Sequence, residues 1–138
     1  MEATKSLAED LGKLFLRLTV AGLMLFHGVS KIIHGVAWMA GPLAAIHLPA
    51  FIMYGAYVGE VIAPIFIILG IYTRVAGLVL SFDLFMAFVL VTHSRFFMIS
   101  PTGGWALELD AFYFLGGICL FLLGAGRLSI GGAKGKFN

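Results

Sequence analysis

The sequence predicts an all-α fold, an integral membrane four-helix up-down bundle with N- and C-termini cytoplasmic. Three observations carry that expectation. Of 138 residues, 61% are hydrophobic and 12% are charged, about half the charged share of soluble proteins. Lipid must therefore cover apolar surface that a domain of this size has no room to bury. The apolar residues fall in four stretches, each close to the ~20 residues that a helix needs to cross a bilayer. Lysine and arginine gather on one side of those stretches, as they do in cytoplasmic flanks.

Taken in order, residues 1–13 read as a cytoplasmic amphipathic lead-in. Residues 14–126 form the membrane domain, with spans at about 14–33, 50–72, 75–92 and 105–125, and residues 127–138 a cytoplasmic tail. In the lead-in, Ser6-Leu7-Ala8-Glu9 has the form of a capping box, in which the serine accepts from the backbone and the glutamate reaches back. Its mixed charge, with no small-residue cleavage site after an isolated apolar core, argues against a removable signal. Pro49 suits the first turn of the second helix. Gly55, Gly59 and Ala63 recur there every four residues, a seam for close helix packing. Pro101-Thr102-Gly103-Gly104 makes a loop before the fourth span, and Gly124 and Gly126 close it. One side receives Lys5, Lys13, Arg74, Arg127, Lys134 and Lys136, and the other Lys31 and Arg95, which places His47 and Arg95 outside. Residues 35–48, with Trp38 and Pro42, are too apolar for a free loop and should lie in the outer interface or dip back into the bundle. The Gly/Lys-rich stretch 131–136 reads as disordered.

Several function classes are set aside at this stage. A formal charge of +2, widely dispersed, offers no surface for nucleic acid. Cys119 is the only cysteine, so a disulfide within the chain, a CxxC redox pair and a c-type haem attachment are excluded; it reads as a small apolar helix residue. The histidines His27, His34, His47 and His93 include no HxxxH pair. They read as interfacial or capping groups, and no metal is expected.

The residues that stand out are polar ones at membrane depth: Arg17, His27, Lys31, Glu60, Asp83, Glu108 and Asp110. Each costs about 3 kcal/mol at a helix centre on insertion scales, so they should face the bundle or one another. Arg17, near the cytoplasmic end, is most simply a snorkelling anchor with its head at the interface. His27 and Lys31 are four apart and share a face. Glu60 lies mid-span, where a carboxylate has to hold a proton or find a cation, and His27 or Lys31 is nearest in depth. Pro64 removes the amide that would bond the carbonyl of residue 60, and an acid beside such a break is one way to build a polar pocket. A structural ion pair explains Glu60 equally well. Glu108 and Asp110 point about 200° apart, and Glu108 is the one expected to face inward. His27, Lys31, Glu60, Asp83 and Glu108 are thus the candidate ligand-binding residues, and acids outnumber cations among them; no catalytic motif accompanies them.

With those residues placed, the chain resembles the DoxX family of small four-helix membrane proteins. The resemblance rests on Arg17 followed by Met24-Leu25-Phe26-His27-Gly28-Val29-Ser30-Lys31, on Gly59-Glu60, on Gly70-Ile71-Tyr72-Thr73-Arg74, and on Gly124-Ala125-Gly126-Arg127-Leu128-Ser129. The chain departs from the family pattern after Ser129, where Ile130-Gly131 stands in place of Leu-Asp. The fourth-helix acid is also ambiguous between Glu108 and Asp110. The resemblance implies a multi-pass protein of the bacterial inner membrane linked to redox work, since some members are subunits of a thiosulfate:quinone oxidoreductase.

Three functions compete. The first is a redox-associated subunit that binds a quinone-like lipid in the outer half of the bundle, with donors from His27, Lys31 and Glu60 and aromatic walls such as Tyr54, Tyr57 and Trp105. No covalent cofactor is expected, and electrons would come from a membrane or periplasmic oxidoreductase partner. The second is a non-catalytic membrane anchor or assembly factor for such a partner, in which the buried charges only fix the bundle. The third is a proton conduit through Glu60 and Asp83, although no inverted repeat is visible. A homo-oligomer is compatible with each.

Overall fold

In a computed structural model the chain is helical throughout its long elements; residues 2–132 and 134–138 are described, without the side chains of 2–6. Helix α1 is Glu2–His34, so lead-in and first span are one continuous helix. It is already helical at Ser6, whose side chain, and with it the expected capping box, lies outside the described residues. A short helix α2, Ala40–Ala45, follows a 3-10 turn at Ala37–Met39. Helix α3 is Ala50–Leu69 and helix α4 is Thr73–Arg95. Helix α5 is Glu108–Leu123. Leu7–His34 within α1, α3 and α4 are each long and apolar enough to cross a membrane.

The element ends follow from local chemistry. Pro49 stands just before α3 in an extended conformation, and the first five residues, Ala50–Tyr54, are a 3-10 turn. The second span closes at Leu69 rather than at residue 72. Gly70 (φ 69°) and Tyr72 (φ 50°) are both left-handed, and together they reverse the chain into α4 at Thr73. Helix α5, at 16 residues, is shorter than the span expected from residue 105 to 125. At its start Trp105 is held in the loop, bridged to Ile99 and donating its indole N–H to the Phe96 carbonyl at 2.6 Å. At its end Gly124 takes φ 71°, ψ −171°, a conformation essentially reserved for glycine.

One core draws on all four long helices. Val20, Ala21 and Met24 of α1 meet Ala63 and Ile67 of α3, Leu80 and Leu84 of α4, and Tyr113 and Leu120 of α5. Helices α4 and α5 are antiparallel and very close. A Cβ at Gly117 would run into Ser81 Oγ and the Gly77 carbonyl, and Ser81 donates to the Phe114 carbonyl at 2.8 Å. The expected seam on α3 is only partly used: Gly59 and Ala63 are buried, while Gly55 faces open space.

The segment 35–48 does fold back. Val36, Met39 and fully buried Leu43 pack on Ala56 and Leu90 as a second, smaller core over the His34 end of the helices. The described residues of the tail, expected to be disordered, pack against the turn between α3 and α4. Ile130 and Gly131 donate to the carbonyls of Leu69 and Gly70 at 3.0 and 3.1 Å, and the Asn138 amide donates to Gly70 and Gly132.

Outward, the helices present large apolar side chains: Phe15 is 66% exposed, Phe26 76%, Ile33 70% and Leu122 63%. Exposed apolar surface on this scale needs a non-aqueous neighbour, and the bilayer supplies it.

Candidate ligand pocket

The site begins at Pro64. Its ring crowds the carbonyl four residues back and it has no N–H to offer. Helix α3 responds by widening into a π turn at Val58–Ile62, with the Ala63 N–H bonded to the Val58 carbonyl. Such turns recur at functional sites. The Glu60 carbonyl, deprived of its usual partner, turns toward α1, and Gly28 makes room for it: a Cβ there would collide with that oxygen.

Within this turn the Glu60 side chain is almost fully buried and pairs with Lys31 Nζ of α1. Asp83 arrives from α4. Gly59 lacks a Cβ, and the Asp83 side chain occupies the place where one would stand, so that it shares the pocket with Glu60. Glu60 Oε2 and Asp83 Oδ2 are both buried and without a hydrogen bond among the described residues. The trio therefore carries two carboxyl groups for one ammonium, with acceptor atoms to spare.

A cavity of about 310 Å³ is lined by Lys31, Glu60 and Asp83 together with apolar side chains that include Met39, Ile52, Met86 and Leu90. Trp38 and Phe82 also line it and are 54% and 64% exposed, so its mouth opens through apolar surface toward lipid. The volume lies at the low end for small-molecule sites, roughly 300–1,000 Å³. Among the described residues, no three His, Cys, Asp or Glu side chains gather as a metal site requires.

Of the five candidate residues, Lys31, Glu60 and Asp83 come together and two do not. His27 is exposed and meets the Tyr113 ring edge-on at 5.6 Å. The residue four back on a helix is turned about 40° from its partner, enough to aim it at α5 instead of α3. Glu108 is exposed and folded against Gly104, where a Cβ would strike its carboxylate. Asp110, not Glu108, turns inward: its Oδ2 is buried, and it lines a separate cavity between α4 and α5. The expected aromatic walls are also elsewhere. Tyr54 stacks on Tyr57 at 6.3 Å and Trp105 lines the separate cavity. The walls missed from sequence are Trp38 and Phe82; the apolar character of 35–48 was the available signal for the first.

Arg17 is no snorkelling anchor. It is 2% exposed and fastens the end of α3 to the segment that follows α5. Its Nε donates to the Ile67 carbonyl at 3.0 Å and Nη2 to Ile68 at 3.1 Å, while Nη1 donates to Ala125 at 2.6 Å and Leu128 at 3.0 Å. Ile67 and Ile68 lie in the last turn of α3, where carbonyls carry partial negative charge, and Ala125 and Leu128 belong to the segment after α5. The planar fork of arginine serves several at once.

Comparison with known proteins is consistent with this picture. The chain is 30% identical over 120 residues to an uncharacterized protein of Haemophilus influenzae, an alignment that covers 84% of this chain and 85% of that protein. No solved structure matches it. The DoxX family model matches residues 12–93, a stretch that contains Arg17, Lys31, Glu60 and Asp83 and stops short of Glu108 and Asp110. On that match across more than half its length, the chain belongs to the DoxX family.

Proposed function

We propose that this protein is a redox-associated subunit of the bacterial inner membrane that binds a quinone-like lipid headgroup beside Lys31, Glu60 and Asp83. In this reading α5 is a fourth crossing, both termini are cytoplasmic, and electrons come from a partner oxidoreductase. The observation that supports it is the cavity: a half-buried cation and two carboxyl groups behind an apolar, lipid-facing mouth. A headgroup with carbonyl oxygens needs a donor, which the Lys31 ammonium provides, and a proton carrier, which Glu60 or Asp83 provides. An apolar slot accepts the ring.

The test is mass spectrometry of lipids retained after purification in mild detergent. The parent protein should carry a quinone. The double variant Lys31→Met/Glu60→Gln removes both charges of the pair and leaves Asp83 as the one acid, which takes up a proton when no cation faces it, so it should fold, less stably than the parent, and lose the quinone. A folded double variant that keeps its quinone overturns the proposal. So does a well-folded parent without one, the result expected of a non-catalytic anchor or assembly factor for a partner oxidoreductase.

A further inference from the structure

A groove of about 240 Å³ runs along the seam between α3 and α4, from the pocket of Lys31, Glu60 and Asp83 toward the turn that joins the two helices. Val58, Ile62 and Phe66 form its α3 wall, Val75, Ala76 and Val79 its α4 wall, and its surface is wholly apolar. Val58 and Val79 line the charged pocket as well, so the two spaces adjoin at that pair. Val75, Val79 and Asp83 are spaced by four, which puts groove and pocket on one face of α4. The floor is made of small side chains, since Ala63 and Ala76 are buried and line it. Between α4 and α5, by contrast, the backbones close up: a Cβ at Gly77 would stand 2.7 Å from the Gly117 carbonyl. Tyr72 ends the groove, its ring 6.5 Å from that of Phe66 and 6.5 Å from that of Phe137.

We propose that this groove holds the apolar chain of the same ligand whose headgroup sits beside Lys31, Glu60 and Asp83, an assignment that rests on the quinone-type reading of that pocket. The ligand class is then a ring with a long hydrocarbon substituent that runs from the pocket toward Tyr72. Lipid tails are as apolar as the groove walls, so a loose chain gains little by leaving the bilayer for it. A chain tethered to a seated headgroup differs, because the tether holds it at high effective concentration beside Val58 and Val79. Walls on two sides then give it close van der Waals contact. From Asp83 to Val75 helix α4 rises about 12 Å, so the groove takes the first part of the chain. Val58, Ile62 and Val75 are half-exposed, and a longer chain passes between them into lipid.

The test is photolabelling of the unmodified protein in phosphatidylcholine vesicles, with a decyl benzoquinone that carries a diazirine at the end of its chain. Peptide mass spectrometry should find the label at Phe66, Tyr72 or Val75. Excess unlabelled decyl benzoquinone should abolish it there and leave the labelling of exposed Phe26 and Leu122 unchanged. A second probe, with the diazirine at the first carbon of the chain, should give competed label nearer the headgroup, at Val79 or Phe82. The same decyl diazirine on a phenyl ring without oxygens should give no competed label, because nothing seats its head. Competed label from the second probe, with none from the first in the groove, overturns the groove assignment and leaves the headgroup reading standing. Competed label in the groove from the phenyl probe overturns the assignment as well, since the groove then takes any chain. No competed label from either quinone probe overturns both.

Discussion

An arginine that is 2% exposed among apolar helices has to share its charge with something, and Arg17 shares it with carbonyls at the end of α3 and in the segment after α5. Arg17→Lys keeps the charge but not the fork. It should therefore destabilise the protein by about 1.5–3 kcal/mol, the range for a hydrogen bond to a charged group, as read by reversible unfolding in mixed micelles. If Arg17→Lys is as stable as the parent, the four bonds are not what holds the ends together. Lys31 and Glu60 invite a different comparison. Removing one member of a fully buried pair costs about 3–5 kcal/mol, and the half-buried Lys31 lowers that figure, but Asp83 lines the same pocket as Glu60. Glu60→Gln leaves Lys31 a second carboxylate, whereas Lys31→Met leaves two acids with no cation. Thermal melting should thus place Lys31→Met well below Glu60→Gln; the reverse order would mean that Asp83 does not share the cation. The ion pair was legible from the sequence because a mid-span acid needs a partner and Lys31 is near in depth. The role of Arg17 was not: snorkelling is available to any arginine near a helix end, and the oxygens that capture it lie 50 and 108 residues away.

Among the elements, the π turn of α3 has the most bearing on the site. Proline at position 64 signalled a weakened helix, and the widening at Val58–Ile62 is how the chain accommodates it. What the sequence did not disclose is that the freed Glu60 carbonyl is pressed against Gly28 of the neighbouring helix. Gly28→Ala should cost about 1–3 kcal/mol, as overpacking does, and should weaken the energetic coupling between positions 31 and 60 in a double-mutant cycle. Gly22 sits on the same helix, where an added Cβ would meet nothing within 4 Å. Gly22→Ala should therefore be neutral or stabilising by about 0.5–1 kcal/mol. If the two alanines behave alike, the close approach at Gly28 is not tight. The fourth helix shows a limit of reading hydropathy alone. Residues 105–125 are apolar enough to continue a helix, but the Trp105 hydrogen bond and the glycine at 124 remove residues from its two ends.

For the whole molecule, the basic residues at Arg17, Arg74 and Arg127 cluster at one end with the described part of the tail, while Lys31, His47 and Arg95 belong to the other. If the first end is cytoplasmic, His47→Cys and Arg95→Cys in a Cys119→Ala background should react with a periplasmic, membrane-impermeant maleimide. Lys5→Cys and Lys136→Cys should not react, and their modification would invert the topology. The class of fold was readable because composition and span length are properties of the chain alone; the choice between Glu108 and Asp110 depended on how α5 is rotated against α4, which no local pattern records. The Arg17 bonds have a further consequence, for biogenesis. During synthesis the first helix reaches the membrane long before Ala125 and Leu128 exist, 108 and 111 residues downstream. Until then Arg17 lacks at least two of its four carbonyls, at a penalty of up to about 3 kcal/mol, the insertion-scale figure for an arginine at a helix centre. A chain that stalls before α5 carries that unmet charge as a visible defect. A version ending at Ser100 should be cleared by membrane proteases faster than the same truncation bearing Arg17→Met, a difference that pulse-chase labelling would read directly.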